Sequence, residues 1–230
     1  LSFINNQRKE KWKMMRKHIF CIALSLCVLL FSVFIPVNSV SAHEIYYTGT
    51  SPNYTPVPLK WAFVTNRTAN IKINADKLTG SLASHYTYAR NAWPRYSSRV
   101  SVTHTSLSNS NIDLGTASTA TWTALWGNQA RAVLGYSENE STDGYTLNSL
   151  NNALASSRQI KYGRLLFTPY DNFSNDNERK TVIVHEIGHS LGLGHSNTQY
   201  YPTTAASVMQ QGSPYYFPQT HDVNDLNSKY

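Results

Sequence analysis

Between residue 59 and residue 168, short runs in which hydrophobic and polar residues alternate are separated by stretches rich in Ser, Asn, Gly and Asp. A spacing of two is the period of a β-strand, because successive side chains point to opposite faces of the sheet. The pattern predicts strands over residues 59–64, 100–104, 112–114, 130–136 and 160–168. Residues 43–58 are polar and aperiodic, which indicates an irregular arm before the first strand.

Apolar residues spaced by three and four positions predict the helices. The first helical stripe is disturbed near its end by Pro94, and the polar residues at 174–177 can cap the start of another helix. Helices are predicted over residues 82–96, at about 147–155, from 174–177 to about 191, and from 220 onwards. Since residues 43–230 contain no internal repeat, the pattern predicts one mixed α/β domain with few long helices.

Residues 1–42 have the composition of an export signal. Six Lys and Arg residues between positions 8 and 17 precede an uncharged apolar run over residues 19–35, and Pro36 and small residues up to Ala42 follow it. Cleavage is therefore expected after about Ala42, which makes residues 43–230 a secreted, extracellular domain. The apolar run reaches the lower limit for a membrane span, so an uncleaved N-terminal membrane anchor is the alternative.

The positive charge of the chain lies mainly in that signal. Six of the 20 Lys and Arg residues and one of the 13 Asp and Glu residues precede residue 43, so the net charge falls from +7 to +2. No basic patch then remains to indicate nucleic acid as a partner, and we expect the protein to contact a membrane only through the export signal. Because Cys21 and Cys27 both lie in the apolar run, residues 43–230 have no disulfide, cysteine nucleophile or thiolate metal ligand.

The segment from His185 to His195 contains the residues that can carry chemistry. His185 and His189 are four positions apart, so on a helix their imidazoles share one face, about 6 Å apart along the axis. His195 can join them only if the helix stops and the chain turns back, and Gly192 stands where such a turn needs a positive φ. Three neutral imidazoles that leave a fourth position open to water are typical of a catalytic zinc site. Glu186 is placed to take a proton from that water.

This segment resembles the metzincin signature. Its continuation through Gly192, Leu193, His195 and Ser196 is most similar to the matrixin branch, which includes the matrix metalloproteinases and bacterial relatives. The resemblance implies that Met209 forms the family's methionine turn beneath the zinc, whereas the alternative is an ordinary core residue.

The same resemblance extends to the last predicted helix. It implies that Asp222 hydrogen-bonds the backbone of the methionine turn, whereas the alternative is a carboxylate that favours the first turn of a helix through the helix dipole. Gln211 stands where some metzincins carry a tyrosine that reaches the zinc, so no fifth protein ligand is expected.

A matrixin-like chain implies an α+β, zincin-like fold, in which a twisted, mostly parallel sheet with an antiparallel edge strand packs on about three helices. By the same resemblance, a monomeric, zinc-dependent endopeptidase binds a protein or peptide substrate as an added strand at the sheet edge, formed here by residues 130–136. Tyr215, Tyr216 and Phe217 would either line the pocket beyond the scissile bond or pack against the domain. The family's cysteine switch and its structural-zinc and calcium loop are not recognisable.

Two other functions fit the histidine segment. One is a non-catalytic, zinc-containing surface or binding protein on the same fold, and the retention of Glu186 argues against it because metal binding needs no base. The other is a narrow-specificity exopeptidase or amidase, and no charge cluster that would bind a peptide terminus is evident.

Several further polar residues are potential metal ligands. Calcium could be bound by loop carboxylates, which would otherwise be solvated. These are Glu138, Glu140, Asp143, Asp171 and Asp176. Four histidines without ligand spacing are predicted to be non-functional, namely His43, His85, His104 and His221.

Overall fold

Ten strands and four α-helices make up the part of the chain that the computed structural model describes, which comprises residues 46–50, 53–57, 60–126, 132–137, 159–196 and 205–230. All of these residues lie in one compact unit, residues 40–230. The predicted export signal and the helix predicted at about residues 147–155 lie outside the described residues and stay predictions. No helix in the described ranges is both long enough and apolar enough to span a membrane.

The elements are numbered along the chain. The strands are β1 (Tyr46–Thr50), β2 (Asn53–Val57), β3 (Lys60–Trp61), β4 (Val64–Thr65), β5 (Thr68–Lys77), β6 (Val100–His104), β7 (Ile112–Thr116), β8 (Ala132–Ser137), β9 (Gln159–Ile160) and β10 (Tyr162–Phe167). The α-helices are α1 (Tyr86–Tyr96), α2 (Thr119–Trp126), α3 (Asp176–Ser190) and α4 (Thr220–Lys229). Short 3₁₀ helices cover Gly80–His85 and Leu107–Asn109.

Six of the strands form one mixed, mostly parallel sheet. β6 and β7 pair with β5 in parallel, and β10 pairs with β7 in parallel. The antiparallel members are β4, which pairs with β5, and β8, which pairs with β10 and ends the strand order. This arrangement confirms the predicted α+β class, with its mostly parallel sheet and its antiparallel edge strand.

β5 pairs with three other strands of this sheet, and its own sequence explains which of its faces is buried. Ala69, Ile71 and Ile73 are at most 1% exposed, whereas the polar residues between them are less buried. A period of two therefore places one face of the strand in the core. The sequence prediction omitted this strand, although the alternation of apolar and polar residues was its signal.

Three further predictions were wrong or incomplete. The arm predicted to be irregular contains β1 and β2, which form an antiparallel pair, and its Tyr and Thr residues favour strands without a regular apolar period. The single strand predicted over residues 59–64 is divided, because β3 pairs with β9 and β4 pairs with β5. α2 was not predicted at all.

The predicted helices at 82–96, from 174–177 and from 220 are confirmed by α1, α3 and α4. Pro94 lies in the last turn of α1, so only two residues of the helix follow the position at which its ring and missing amide disturb the hydrogen bonding. α3 packs against α1, and the indole Nε1 of the buried Trp93 donates a hydrogen bond of 3.0 Å to the carbonyl of Val184. The helix that carries the histidine segment is therefore anchored to the core.

Candidate metal centre

α3 presents two histidines on one face. It is capped by the side chain of Asn175, which accepts a hydrogen bond from the amide of Glu178 at 3.0 Å. Ile183 lies on the buried side of the helix and is 0% exposed. His185 and His189 are partly buried, and their ring centroids lie 4.6 Å apart with the planes at 90°. The histidine pair predicted from the four-residue spacing is therefore present.

α3 ends in a Schellman turn that reverses the chain. Gly192 has a φ of +81°, in the left-handed region that other residues rarely adopt. Its amide donates to the carbonyl of His189 at 2.8 Å, and the amide of Leu193 donates to the carbonyl of Gly188 at 3.2 Å. These two hydrogen bonds define the motif. The turn brings His195 back to the face of the helix that carries the other two histidines.

The three imidazoles converge on one point. Nε2 of His195 lies 3.2 Å from Nε2 of His189 and 3.2 Å from Nε2 of His185. With zinc–nitrogen distances of about 2.0–2.1 Å, neighbouring nitrogens of a tetrahedral site lie about 3.3–3.4 Å apart. The donor set therefore fits one zinc ion with little rearrangement. Within the described ranges, this triad is the group of histidine, cysteine and carboxylate side chains close enough together to hold a metal.

Hydrogen bonds to the backbone set the tautomer of two of the rings. Nδ1 of His185 lies 2.8 Å from the carbonyl of Val208, and Nδ1 of His189 lies 2.7 Å from the carbonyl of Leu193. Because a carbonyl can only accept, both Nδ1 atoms carry the proton and both Nε2 atoms keep a lone pair for a metal. Burial lowers the pKa of His185 to about 4, and it also lowers the pKa of His189 and His195. Burial therefore favours the neutral form of all three rings, which is the form that binds metal.

Glu186 follows the first histidine of the triad on α3. Its side chain is partly buried, and removal from water raises the pKa of Glu186 to about 8. A bound dication would oppose this effect, because a positive charge favours the ionised carboxylate.

Met209 lies directly against α3. It is 2% exposed, and a Cβ added to Gly188 would come within 3.0 Å of its sulfur and of the ring of Trp93. The helix can approach this turn so closely only because residue 188 has no side chain. The carbonyl of Met209 also accepts a hydrogen bond of 3.2 Å from the amide of Ser196, the residue after His195. Residues 207–209, here called the methionine segment, thus contact α3 at Gly188 and the chain next to His195.

Asp222 both supports the methionine segment and lies in the first turn of a helix, which are the two alternatives that the sequence leaves open. Its carboxylate accepts hydrogen bonds from the amide of Val208 at 2.8 Å and from the hydroxyl of Ser207, so it holds the methionine segment. It also accepts from the amide of Gln219 at 2.8 Å, within a capping box at the start of α4. Burial raises the pKa of Asp222, and these hydrogen bonds oppose the rise.

We expect Asp222→Ala to lower the free energy of unfolding by about 2–4 kcal/mol, because the buried amide of Val208 and the partly buried amide of Gln219 would each lose their acceptor. Urea denaturation followed by circular dichroism measures the loss. Asp171→Ala is the control, since Asp171 is exposed and pairs with Arg179 at 3.0 Å, and its loss should change stability by no more than about 1 kcal/mol. Equal effects of the two substitutions would contradict the supporting role.

The aromatic residues after the methionine segment pack against the helices. The ring of Phe217 stacks on Tyr96 with centroids 5.7 Å apart, and Tyr216 lies 6.1 Å from the ring of Tyr88. Nζ of Lys180 on α3 lies over the rings of both Tyr88 and Tyr216. Of the two alternatives predicted for this segment, packing therefore describes Tyr216 and Phe217.

The remaining candidate ligands have other partners in the structure. Asp171 and Asp176 both pair with Arg179, so no calcium site is supported there. His85 lies 3.3 Å from a carboxylate oxygen of Asp176, outside the histidine triad. Of the other histidines, His104 contacts Tyr86 and His221 faces Asp225. The remaining histidine and the remaining loop carboxylates lie outside the described ranges, namely His43, Glu138, Glu140 and Asp143.

Three further residues contact the site, and two of them, Trp61 and Tyr230, have no role that the sequence predicts. The hydroxyl of Ser207 connects Asp222 to the amide of Met209, from which it accepts at 2.9 Å. Trp61 and Tyr230 donate hydrogen bonds to the end of α3. Ser207 belongs to residues 207–209, the segment that resembles the methionine turn, but nothing in the spacing of the two aromatic residues connects them to the histidine segment.

The sequence profile of the peptidase family Matrixin matches residues 53–226. No curated protein sequence gave a significant match. A structure of myroilysin is similar over 73% of this chain and 93% of that chain, with 14% identity and a TM-score of 0.40.

A second structure, of a hatching enzyme and zinc protease from the medaka fish Oryzias latipes, is similar over 60% of this chain and 50% of its own, with 14% identity and a TM-score of 0.32. The profile match covers most of the chain and includes the complete histidine segment and the methionine segment. The chain therefore belongs to the Matrixin family of zinc metalloendopeptidases.

Proposed function

We propose that this matrixin is a secreted endopeptidase that cuts extracellular proteins, with His185, His189 and His195 as its zinc ligands and Glu186 as its general base. The observation that carries the proposal is the convergence of three imidazole Nε2 atoms, with that of His195 lying 3.2 Å from each of the other two, beside a glutamate on α3. Membership of the family supports zinc-dependent cleavage within peptide chains.

The three histidines would hold the metal in a preorganised site. Zinc bound there would supply Lewis acidity, which makes water more acidic and polarises a carbonyl oxygen. The carbonyls of Val208 and Leu193 orient the rings of His185 and His189, so little conformational freedom is lost when the metal binds. With three protein ligands, a fourth position remains open for water or substrate.

Glu186 would act as the base and then as the acid. It would accept a proton from the attacking water and later donate a proton to the leaving amine. This assignment is supported by its place on α3, which carries Glu186 and two of the ligands on one rigid element. A protein that only stored or displayed zinc would not need a carboxylate there.

The substrate would bind in an extended conformation along β8. This strand ends the sheet order and pairs only with β10 among the described strands, so its other edge can form main-chain hydrogen bonds with a peptide. Recognition through the main chain suits internal cleavage, because it does not depend on a chain terminus. We expect the enzyme to act as a monomer.

One experiment tests the proposal against its rivals. The protein is collected from the culture medium, its N-terminus is sequenced, and it is incubated with a mixed library of peptides blocked at both ends. We expect the protein to begin near His43 and to cut the peptides internally, with loss of activity on chelation and recovery with added zinc. An exopeptidase would leave blocked peptides intact, and a non-catalytic binding protein would also leave protein substrates intact. Retention in the cell membrane would contradict the proposed secretion.

A further inference from the structure

The last four carbonyl groups at the end of α3, including that of its C-cap Leu191, all accept hydrogen bonds, and two of the donors are distant aromatic residues. A helix leaves its last four carbonyls without partners inside the helix. The Schellman turn satisfies the carbonyls of Gly188 and His189. The carbonyls of Ser190 and Leu191 remain, and both residues are 0% exposed, so bulk water cannot satisfy them.

Two buried side chains donate to these remaining carbonyls. The indole Nε1 of Trp61 donates to the carbonyl of Ser190, and the hydroxyl of Tyr230 donates to the carbonyl of Leu191 at 3.0 Å. Trp61 is 2% exposed and lies on β3, whereas Tyr230 is 6% exposed and follows α4. The carbonyl of Tyr230 accepts from Nε of Arg67 at 3.2 Å, which holds the tyrosine in place.

The point at which α3 ends determines where the third ligand lies. Gly192 begins the reversal immediately after Leu191, and His195 follows three residues later. The carbonyl of Leu193, within the same turn, also holds Nδ1 of His189. A buried carbonyl without a donor is costly, so loss of either donor would favour a shifted helix end that finds another partner. Such a shift would move His195 and the support of His189 together.

We infer that Trp61 and Tyr230 are positioning residues for the metal site, which act by holding the end of α3 so that the turn at Gly192 delivers His195 to the other two histidines. Neither side chain is assigned to the triad or to the substrate, and each acts only through the backbone of Ser190 and Leu191. The inference rests on the proposed zinc ligands.

The test uses cobalt(II) in place of zinc in the full chain, because the visible spectrum of cobalt reports its coordination geometry. The main variant is Tyr230→Phe, which removes one hydroxyl and keeps the ring. Trp61→Phe is the second variant, and it removes the other donor independently. Tyr162→Phe is the matched control, since its buried hydroxyl donates to Asp113 on β7 and the substitution removes the same group away from the triad. All proteins are compared as folded samples, verified by circular dichroism.

We expect Tyr230→Phe and Trp61→Phe to change the cobalt spectrum and to weaken zinc binding about threefold to tenfold in competition with a chelator, somewhat less than loss of a group that contacts a ligand directly. Tyr162→Phe should lower the melting temperature, but its cobalt spectrum and zinc affinity should equal those of the parent.

The inference is overturned if both variants lose thermal stability as the control does and yet keep the parental spectrum and affinity. A parent protein that gives no cobalt spectrum typical of three nitrogen ligands would instead show that the proposed ligand set is wrong, and the inference would fall with it.

Discussion

Replacement of Glu186 by glutamine is expected to lower kcat/KM for a blocked peptide on the order of 10³-fold while the folded protein keeps one zinc ion. Glutamine has nearly the same shape as glutamate but cannot accept a proton at neutral pH, so the substitution removes the acid–base step alone. A 10³-fold loss corresponds to about 4 kcal/mol of transition-state stabilisation. Initial rates at low substrate concentration, combined with metal analysis of the same samples, measure the effect.

Glu178→Gln is the matched control for this prediction. Glu178 lies on the same helix, two turns before Glu186, and its partly buried side chain accepts a hydrogen bond from the amide of Ser174. The control makes the same chemical change outside the site, so its turnover should match that of the parent. If zinc-loaded Glu186→Gln cleaved peptides as fast as the parent, the assignment of the base would have to be abandoned.

His195→Ala is expected to abolish measurable peptidase activity at ordinary zinc concentrations. The two histidines on α3 would remain, but one ligand would be lost. Zinc affinity should therefore fall by more than the roughly 100-fold that follows loss of a residue hydrogen-bonded to a ligand. Competition with a chelating dye measures the affinity. Part of the activity should return when zinc is added in large excess, because Glu186 is still present.

His104→Ala controls for the removal of an imidazole. His104 lies on β6, where its Nδ1 is 3.1 Å from the hydroxyl of Tyr86, outside the triad. We expect this variant to bind zinc as tightly as the parent. Unchanged zinc affinity in His195→Ala would mean that the third ligand is another residue, whereas full activity without bound metal would contradict the zinc mechanism altogether.

Much of the site could be predicted because its determinants are local. The four-residue spacing of His185 and His189 and the cap near residue 175 depend only on the geometry of a helix. Gly192 is also a local signal, since a left-handed residue after a helix is usually glycine, and the observed φ of +81° agrees with this expectation. The class of the fold followed from the succession of predicted strands and helices together with the resemblance.

One error concerns strand pairing, which the local period of a run does not specify. Residues 59–64 were predicted to form one strand, but pairing with β9 and with β5 divides them into β3 and β4. The period of a run predicts that it is a strand, but not which strand it pairs with. β5 differs, because its own alternation of apolar and polar residues is a local signal for a strand.

Local sequence thus dictated where two imidazoles share a helix face and where the chain can reverse, because those properties arise within a few residues. Only tertiary packing decided that Asp222 would hold the methionine segment and that Trp61 and Tyr230 would satisfy the end of α3. Trp61 and Ser190 are 129 residues apart, and Tyr230 and Leu191 are 39 apart. No periodicity connects such residues, since the need to satisfy a buried carbonyl exists only after the chain has folded around it.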